Sequence, residues 1–208
     1  MTTNVRFCLV GFGNVGKSFA ELLLKKETEL AERYDLSVTV TGIITGTLGA
    51  AIDPNGIDLQ AALDLVRSGQ QLNSLSTQEP INETNAFILN CPAEFMFETT
   101  PVNPQTGQPA LSHIKTALQK GMHVVTANKG PVVHGYEELT SLARQKGKGF
   151  LFESTVMDGA PIYAMFREVL KCANLLGFFG ILNSCTNLLL GMMEQGKSLE
   201  EAIEFGRS

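Results

Sequence analysis

The feature that most constrains this chain is VRFCLVGFGNVG at residues 5–16, a short apolar run that passes without a break into Gly-Phe-Gly-Asn-Val-Gly. The run Val5–Val10 shows no sustained alternation of polar and apolar residues, the pattern of a strand covered on both faces in a parallel sheet. From Asn14 to Arg33 the apolar residues Val15, Phe19, Leu22, Leu23 and Leu30 recur at helical spacing and leave Lys25, Lys26, Glu29 and Glu32 for water. A GxGxxG between a strand and a helix is a dinucleotide signature. Its first glycine permits the tight turn, the second lets a pyrophosphate approach the backbone, and the third lets helix and strand pack closely. Unpaired N–H groups and the helix dipole would then hold the phosphates. Gly11, Phe12, Gly13, Asn14, Val15 and Gly16 are therefore candidate cofactor contacts; a merely structural turn is the competing reading.

The remainder of the N-terminal part repeats strand and helix. LSVTVTGIIT (36–45) reads as a second strand, and the Gly, Pro and Asn of 46–58 read as loop. Leu59–Val66 resumes a helical pattern, while 70–92 is ambiguous. EFMFETT (94–100) is expected as a strand, 101–109 as a long loop, and a short helix capped by Ser112 is expected to end at Gly121. MHVVTA, a helix over 136–146 and a strand GFLFE (149–153) follow. This order implies an α/β fold, a doubly wound parallel sheet of Rossmann type with helices on both faces. Ligands of such sheets gather at the carboxyl ends of the strands, where the loops 11–16, 98–103 and 126–131 all fall. After residue 153 the style changes to an amphipathic stripe (Ile162, Met165, Phe166, Val169, Leu170), an expected strand GFFGILN (177–183) and a helix SCTNLLLGMME. We expect a nucleotide-binding domain over 1–148 and, over 149–208, the start of an α+β catalytic and dimerisation domain. Ser198 and Glu201 have capping-box spacing for a helix only about two turns old at Ser208, which reads as a fragment of something longer.

Charge narrows the partners. A net charge of -5 without Lys/Arg clusters argues against nucleic acid and anionic membranes, so a small molecule is the expected partner. The apolar run at the N-terminus falls far below the ~20 residues of a membrane span. Cys8, Cys91, Cys172 and Cys185 lack metal-ligand or CxxC spacing and fit reduced thiols in a cytoplasm.

The other candidates each carry a bland alternative. Lys129, just past a strand end on the ligand edge, is a solvated loop lysine, a group that polarises a carbonyl or moves a proton, or an anion anchor. Glu153 is a charged strand end or a cation ligand. The polar turn Asn183, Ser184, Cys185, Thr186 and Asn187 is a helix cap, with Asn183 or Ser184 capping, or a place where N–H groups meet an anionic substrate. The second strand ends in Ile44, Thr45, Gly46 and Thr47 without an acid to grip a ribose, which permits NADP; no arginine awaits a 2′-phosphate, so NAD stays open.

Six segments in order resemble homoserine dehydrogenase: VGFGNVG (10–16), DPNGID (53–58), FETTPVNPQTGQPAL (97–111), GMHVVTANKGPV (121–132), FESTVMDGAPI (152–162) and GILNSCTNLLL (180–190). The resemblance implies NADP- or NAD-dependent hydride transfer between homoserine and aspartate 4-semialdehyde, a step of threonine and methionine biosynthesis, in a homo-oligomeric enzyme. It implies that Lys129 is the active-site lysine beside the nicotinamide, and that Thr99 and Thr100 join Gly11–Gly16 as nucleotide contacts. Glu153, Val156, Asp158 and Ala160 match a monovalent-cation (sodium) site, the last three through carbonyl oxygens. Asn183, Ser184, Cys185 and Thr186 match a substrate-binding segment usually written NGTTN, from which Ser184 and Cys185 depart. The acidic and lysine residues that the family carries further downstream have no counterpart before Ser208, so weak or absent turnover is expected of this stretch. A non-catalytic NAD(P)-binding regulatory module is the alternative.

Overall fold

A computed structural model of the chain describes residues 2–79, 81–157 and 159–207. The chain separates into two compact units, Met1–Phe152 and Glu153–Ser208, a few residues beyond the expected boundary at 148.

The first unit is built on β1 (Thr3–Val10), β2 (Leu36–Ile44), β3 (Ala50–Ile52), β4 (Phe95–Glu98), β5 (His123–Thr126) and β6 (Phe150–Leu151), in the spatial order β3-β2-β1-β4-β5-β6. All pairs are parallel except β2 with β3. Alternation on the central strand divides the core. Phe7 and Leu9 of β1 pack with Ala20 of α1 (Asn14–Tyr34) and with Ala62 and Leu63 of α2 (Leu59–Arg67). Cys8 and Val10 belong to the opposite cluster, with Phe87 and Ile88 of α3 (Thr84–Asn90), Ile114 and Leu118 of α4 (Ala110–Lys120), and Leu139 of α5 (Lys129–Lys146). All four residues Phe7–Val10 are buried, which explains why this strand is apolar on both faces.

The chain turns to one side of β1 for β2 and to the other for β4, so the crevice between β1 and β4 is the topological switch point. Register levels the strand ends there. Val10 pairs with Ile44 and with Glu98, and Glu98 pairs with Thr126.

Several expectations need correction. The segment 46–58, expected as loop throughout, contains β3, because Ala50–Ile52 finds the free edge of β2 and is buried there. Helix α5 begins at Lys129 and not at Tyr136. Pro131 looks like a breaker, but it occupies the first turn, where a backbone N–H has no intrahelical partner to lose. Ser112 lies inside α4, whose N-cap is Pro109. The strand expected over 149–153 is limited to Phe150–Leu151, with Glu153–Thr155 turning into a 3-10 helix.

The second unit holds the short helix α6 (Ile162–Ala164), a π-turn over Met165–Val169, α7 (Ser184–Glu194) and α8 (Leu199–Arg207). The expected strand 177–183 is not formed: no ladder partner pairs with it among the described residues, and Phe178 and Phe179 are exposed. The capping box is present, with Ser198 N–H donating to Glu201 Oε2 at 2.8 Å and Glu201 N–H to Ser198 Oγ at 3.1 Å.

Candidate active site at the carboxyl edge of the sheet

The glycine turn divides into parts that the fold requires and a part that it does not. Gly11 has φ +92°, and a Cβ there would lie 2.7–2.8 Å from the Thr99 and Thr100 backbone. Gly16 is as confined, since its Cβ would lie 2.6 Å from the Gly11 carbonyl oxygen. Gly13 differs: a Cβ would meet nothing within 4 Å. Intramolecular packing gives no reason for a glycine at position 13, whereas close approach of a ligand to the backbone does. Gly13 is also the N-cap of α1 and has no side chain to offer the first-turn amides of Asn14, Val15 and Gly16. Phe12 is buried in the sheet-side cluster and serves the core, while the Asn14 and Val15 side chains are exposed.

Facing this turn are the ends of β4 and β5. Thr99 N–H donates to the Val10 carbonyl at 2.8 Å, and its hydroxyl donates to the Gly11 carbonyl at 2.9 Å. The Thr99 side chain therefore fixes the turn. Thr100 N–H donates to Glu98 Oε1 at 2.9 Å, and the Thr100 hydroxyl donates to the same oxygen. Thr126 Oγ1 donates to the other oxygen, Oε2, at 2.7 Å and accepts from Asn128 N–H at 3.0 Å. Asn128 closes the ring by donating from Nδ2 to the Thr100 carbonyl at 3.1 Å, while its Oδ1 caps α5 through Gly130 N–H at 3.0 Å. Glu98 and Thr126 are fully buried and Asn128 is nearly so.

This ring carries Lys129. It is the first residue of α5, is exposed, and makes no hydrogen bond or ion pair among the described residues. A cation at a helix N-terminus opposes the helix dipole at a cost of about 0.3–1 kcal/mol, and no acidic residue in the first turn offsets it. Sequence reasoning missed Glu98 and Asn128. Asn128 could have been found as an N-cap type directly before a Lys-Gly-Pro helix start, whereas Glu98, an acid at a strand end, looks in the sequence like a solvated residue.

In the second unit, Asn183 is the N-cap of α7, its Oδ1 accepting Thr186 N–H at 2.9 Å and the Thr186 hydroxyl at 3.1 Å. Ser184 and Cys185 form the exposed first turn of α7. Glu153 accepts the Tyr163 and Ala164 amides at 2.8 and 2.9 Å on its two oxygens, so it serves as a cap for α6. The Ala160 carbonyl accepts Ile162 N–H at 2.9 Å, Val156 is half-buried, and Asp158 lies outside the described residues. No group of three or more His, Cys, Asp or Glu side chains among the described residues could hold a metal ion.

Comparisons with known proteins identify the family. The family profile described as "Homoserine dehydrogenase, NAD binding domain" matches residues 11–153. The chain belongs to the homoserine dehydrogenase family. The NAD(+)-dependent homoserine dehydrogenase of Pseudomonas canavaninivorans is 34% identical over 203 residues, covering 97% of this chain and 57% of that protein. The homoserine dehydrogenase of Methanocaldococcus jannaschii is 35% identical over 197 residues, covering 94% and 58%. Among solved structures, a hyperthermophilic archaeal homoserine dehydrogenase in complex with NADPH matches with a TM-score of 0.76 at 28% identity, covering 99% of this chain and 61% of that one. The chain thus spans 57% to 61% of the length of these homoserine dehydrogenases.

Proposed function

We propose that this chain carries the NAD(P)-binding part of a homoserine dehydrogenase, which interconverts homoserine and aspartate 4-semialdehyde within threonine and methionine biosynthesis. The observation that carries the reading is the level register of Val10, Glu98 and Thr126. It supports the reading because the glycine turn, Thr99–Thr100 and Lys129 all follow strand ends that lie level beside the switch point. The open direction at Gly13 supports the fit of a dinucleotide, with the first-turn amides of α1 taking its pyrophosphate. The dinucleotide supplies a ring carbon that gives or takes the hydride.

The rest of the chemistry belongs to side chains. Oxidation of a primary alcohol removes a hydride from carbon and a proton from oxygen, so the site needs a group that stabilises the developing oxyanion and handles the proton. Lys129 is suited to this work: its neutral amine can take the alcohol proton, the ammonium so formed can return it to the carbonyl oxygen in the reverse direction, and at its helix start it makes no hydrogen bond or ion pair among the described residues. Gly11, Gly16 and the Thr99 hydroxyl shape the turn, and Thr100 is held by Glu98. Asn183, Ser184, Cys185 and Thr186 are the proposed substrate contacts, and a sodium ion near Glu153, Val156, Asp158 and Ala160 rests on the family resemblance. A homo-oligomeric, cytoplasmic enzyme without nucleic-acid or membrane partners completes the reading. Among the described residues no helix is long and apolar enough to cross a membrane.

The test is homoserine-dependent formation of NADPH or NADH, followed by its absorbance, in the complete gene product and in its Lys129→Met variant. Turnover lost in the variant with nucleotide affinity retained supports the reading. Nucleotide binding without homoserine-dependent reduction in the unsubstituted protein would favour a regulatory module.

A further inference from the structure

Glu98 is a carboxylate in an unusual place. It is fully buried, forms no ion pair among the described residues, and ends the strand that borders the switch-point crevice. Burying a carboxylate without a cationic partner is unfavourable, and hydrogen bonds offset only part of that cost. Its acceptor role is set by its neighbours. Thr100 N–H can only donate, and it meets Oε1 together with the Thr100 hydroxyl, while the Thr126 hydroxyl donates to Oε2. The three donors fix the carboxyl group one residue away from Thr99, whose backbone touches the glycine turn.

We propose that Glu98 is a specificity residue for the oxidation state of the nucleotide: its fixed negative charge favours the cationic nicotinamide ring of NADP+ or NAD+ over the neutral ring of NADPH or NADH. This rests on the nucleotide-binding reading above. The two forms differ by one positive charge on the ring and keep the same phosphates, so the field of Glu98 enters the ratio of their affinities and not the common part. Two unit charges about 8 Å apart, at an effective dielectric constant of about 20–40, interact by an amount that changes such a ratio by roughly 5- to 30-fold, and by less at greater separation.

The side chain also admits a clean neutral replacement. In Glu98→Gln the amide oxygen accepts from Thr100, and the NH2 donates to Thr126 Oγ1 once that hydroxyl turns its proton away. Glu98→Met is a second neutral variant, and Glu98→Asp keeps the charge.

The experiment is calorimetric titration of each protein with NADP+, NADPH, NAD+ and NADH, after melting curves confirm the fold. In Glu98→Gln or Glu98→Met the oxidised-to-reduced affinity ratio is expected to fall by roughly 5- to 30-fold, while in Glu98→Asp it stays within about 2-fold of the unsubstituted chain. An unchanged ratio in the neutral variants, with both affinities shifted together, would overturn the proposal and leave Glu98 a loop brace. Failure of both neutral variants to fold would equally make it a folding residue. No binding of any of the four nucleotides by the unsubstituted chain would instead sink the nucleotide reading itself.

Discussion

Replacing Gly11 by alanine should damage the fold, while the same change two residues later should damage only ligand binding. At Gly11 an alanine would have to hold φ +92°, which costs a residue with a Cβ roughly 1–2 kcal/mol. Its methyl group would press on the Thr99 and Thr100 backbone at 2.7–2.8 Å, well inside van der Waals contact. Those atoms cannot rotate away as a side chain could. Relief requires moving the end of β4, which strains the Thr99 N–H bond to Val10 and the Thr99 hydroxyl bond to Gly11, each worth about 1 kcal/mol. The total is about 3–5 kcal/mol, which for a unit of this size lowers the melting temperature by about 10 °C. At Gly13, φ is −80° and the added methyl meets nothing, so Gly13→Ala should cost no more than about 1 kcal/mol, or about 2–4 °C. Thermal melting followed by circular dichroism reads both variants directly. A Gly11→Ala protein melting within about 2 °C of the original, or a Gly13→Ala protein melting as low as Gly11→Ala, would refute the division of roles within the turn.

Other substitutions probe the edge beside it. Asn128→Ala removes the α5 cap and strands the carbonyls that Asn128 Nδ2 serves, so urea unfolding should show a loss of about 2–3 kcal/mol; Asn128→Asp, which can still cap, should lose less. Lys129→Met removes a cation from the positive end of α5 and should raise stability by about 0.3–1 kcal/mol in urea unfolding; a destabilised variant would show that Lys129 has a structural partner. His123 and His113 both have their pKa lowered from the usual histidine value, chiefly by burial, and the unfolded chain binds their protons more readily. Stability is therefore full above the unfolded histidine pKa and declines as pH falls through the lower folded values. Urea midpoints measured from pH 7.5 to 5 should fall, and less steeply in His123→Asn, whose side-chain oxygen can replace Nδ1 as acceptor for Gly149 N–H.

Much of the first unit is legible in the residues. The unalternating Val5–Val10, the glycines behind it and the helical spacing of α1 specify β1, the turn and the helix together, and β4 and β5 announce themselves as short apolar runs ended by polar residues. Other elements depend on distant partners. Ala50–Ile52 is three residues between glycine- and proline-rich stretches, and only the free edge of β2 makes it a strand. The run 177–183 shows the converse, because strand-like residues form no strand without a neighbour to share their hydrogen bonds. In the site, Gly11–Gly16 and Lys129 carry a sequence signal, while Glu98 does not. An acid at a strand end looks like a wet residue until the fold shows that Thr100 and Thr126 close over it. Asn128 has a local signal as a cap, but its second task, holding the Thr100 carbonyl, spans 28 residues of sequence.

The central claim is that the carboxyl edge of this sheet takes a nicotinamide dinucleotide through the glycine turn. The most direct test is a titration of the chain with NADPH and NADH; since the sequence contains no tryptophan, the emission of the reduced nicotinamide itself gives an uncluttered signal. Saturable binding of at least one nucleotide is predicted, with affinity at least tenfold weaker in Gly13→Val, whose side chain would fill the approach to the backbone, and with the melting temperature lowered only slightly. Absence of saturable binding by the unsubstituted chain, or undiminished binding by Gly13→Val, would contradict it.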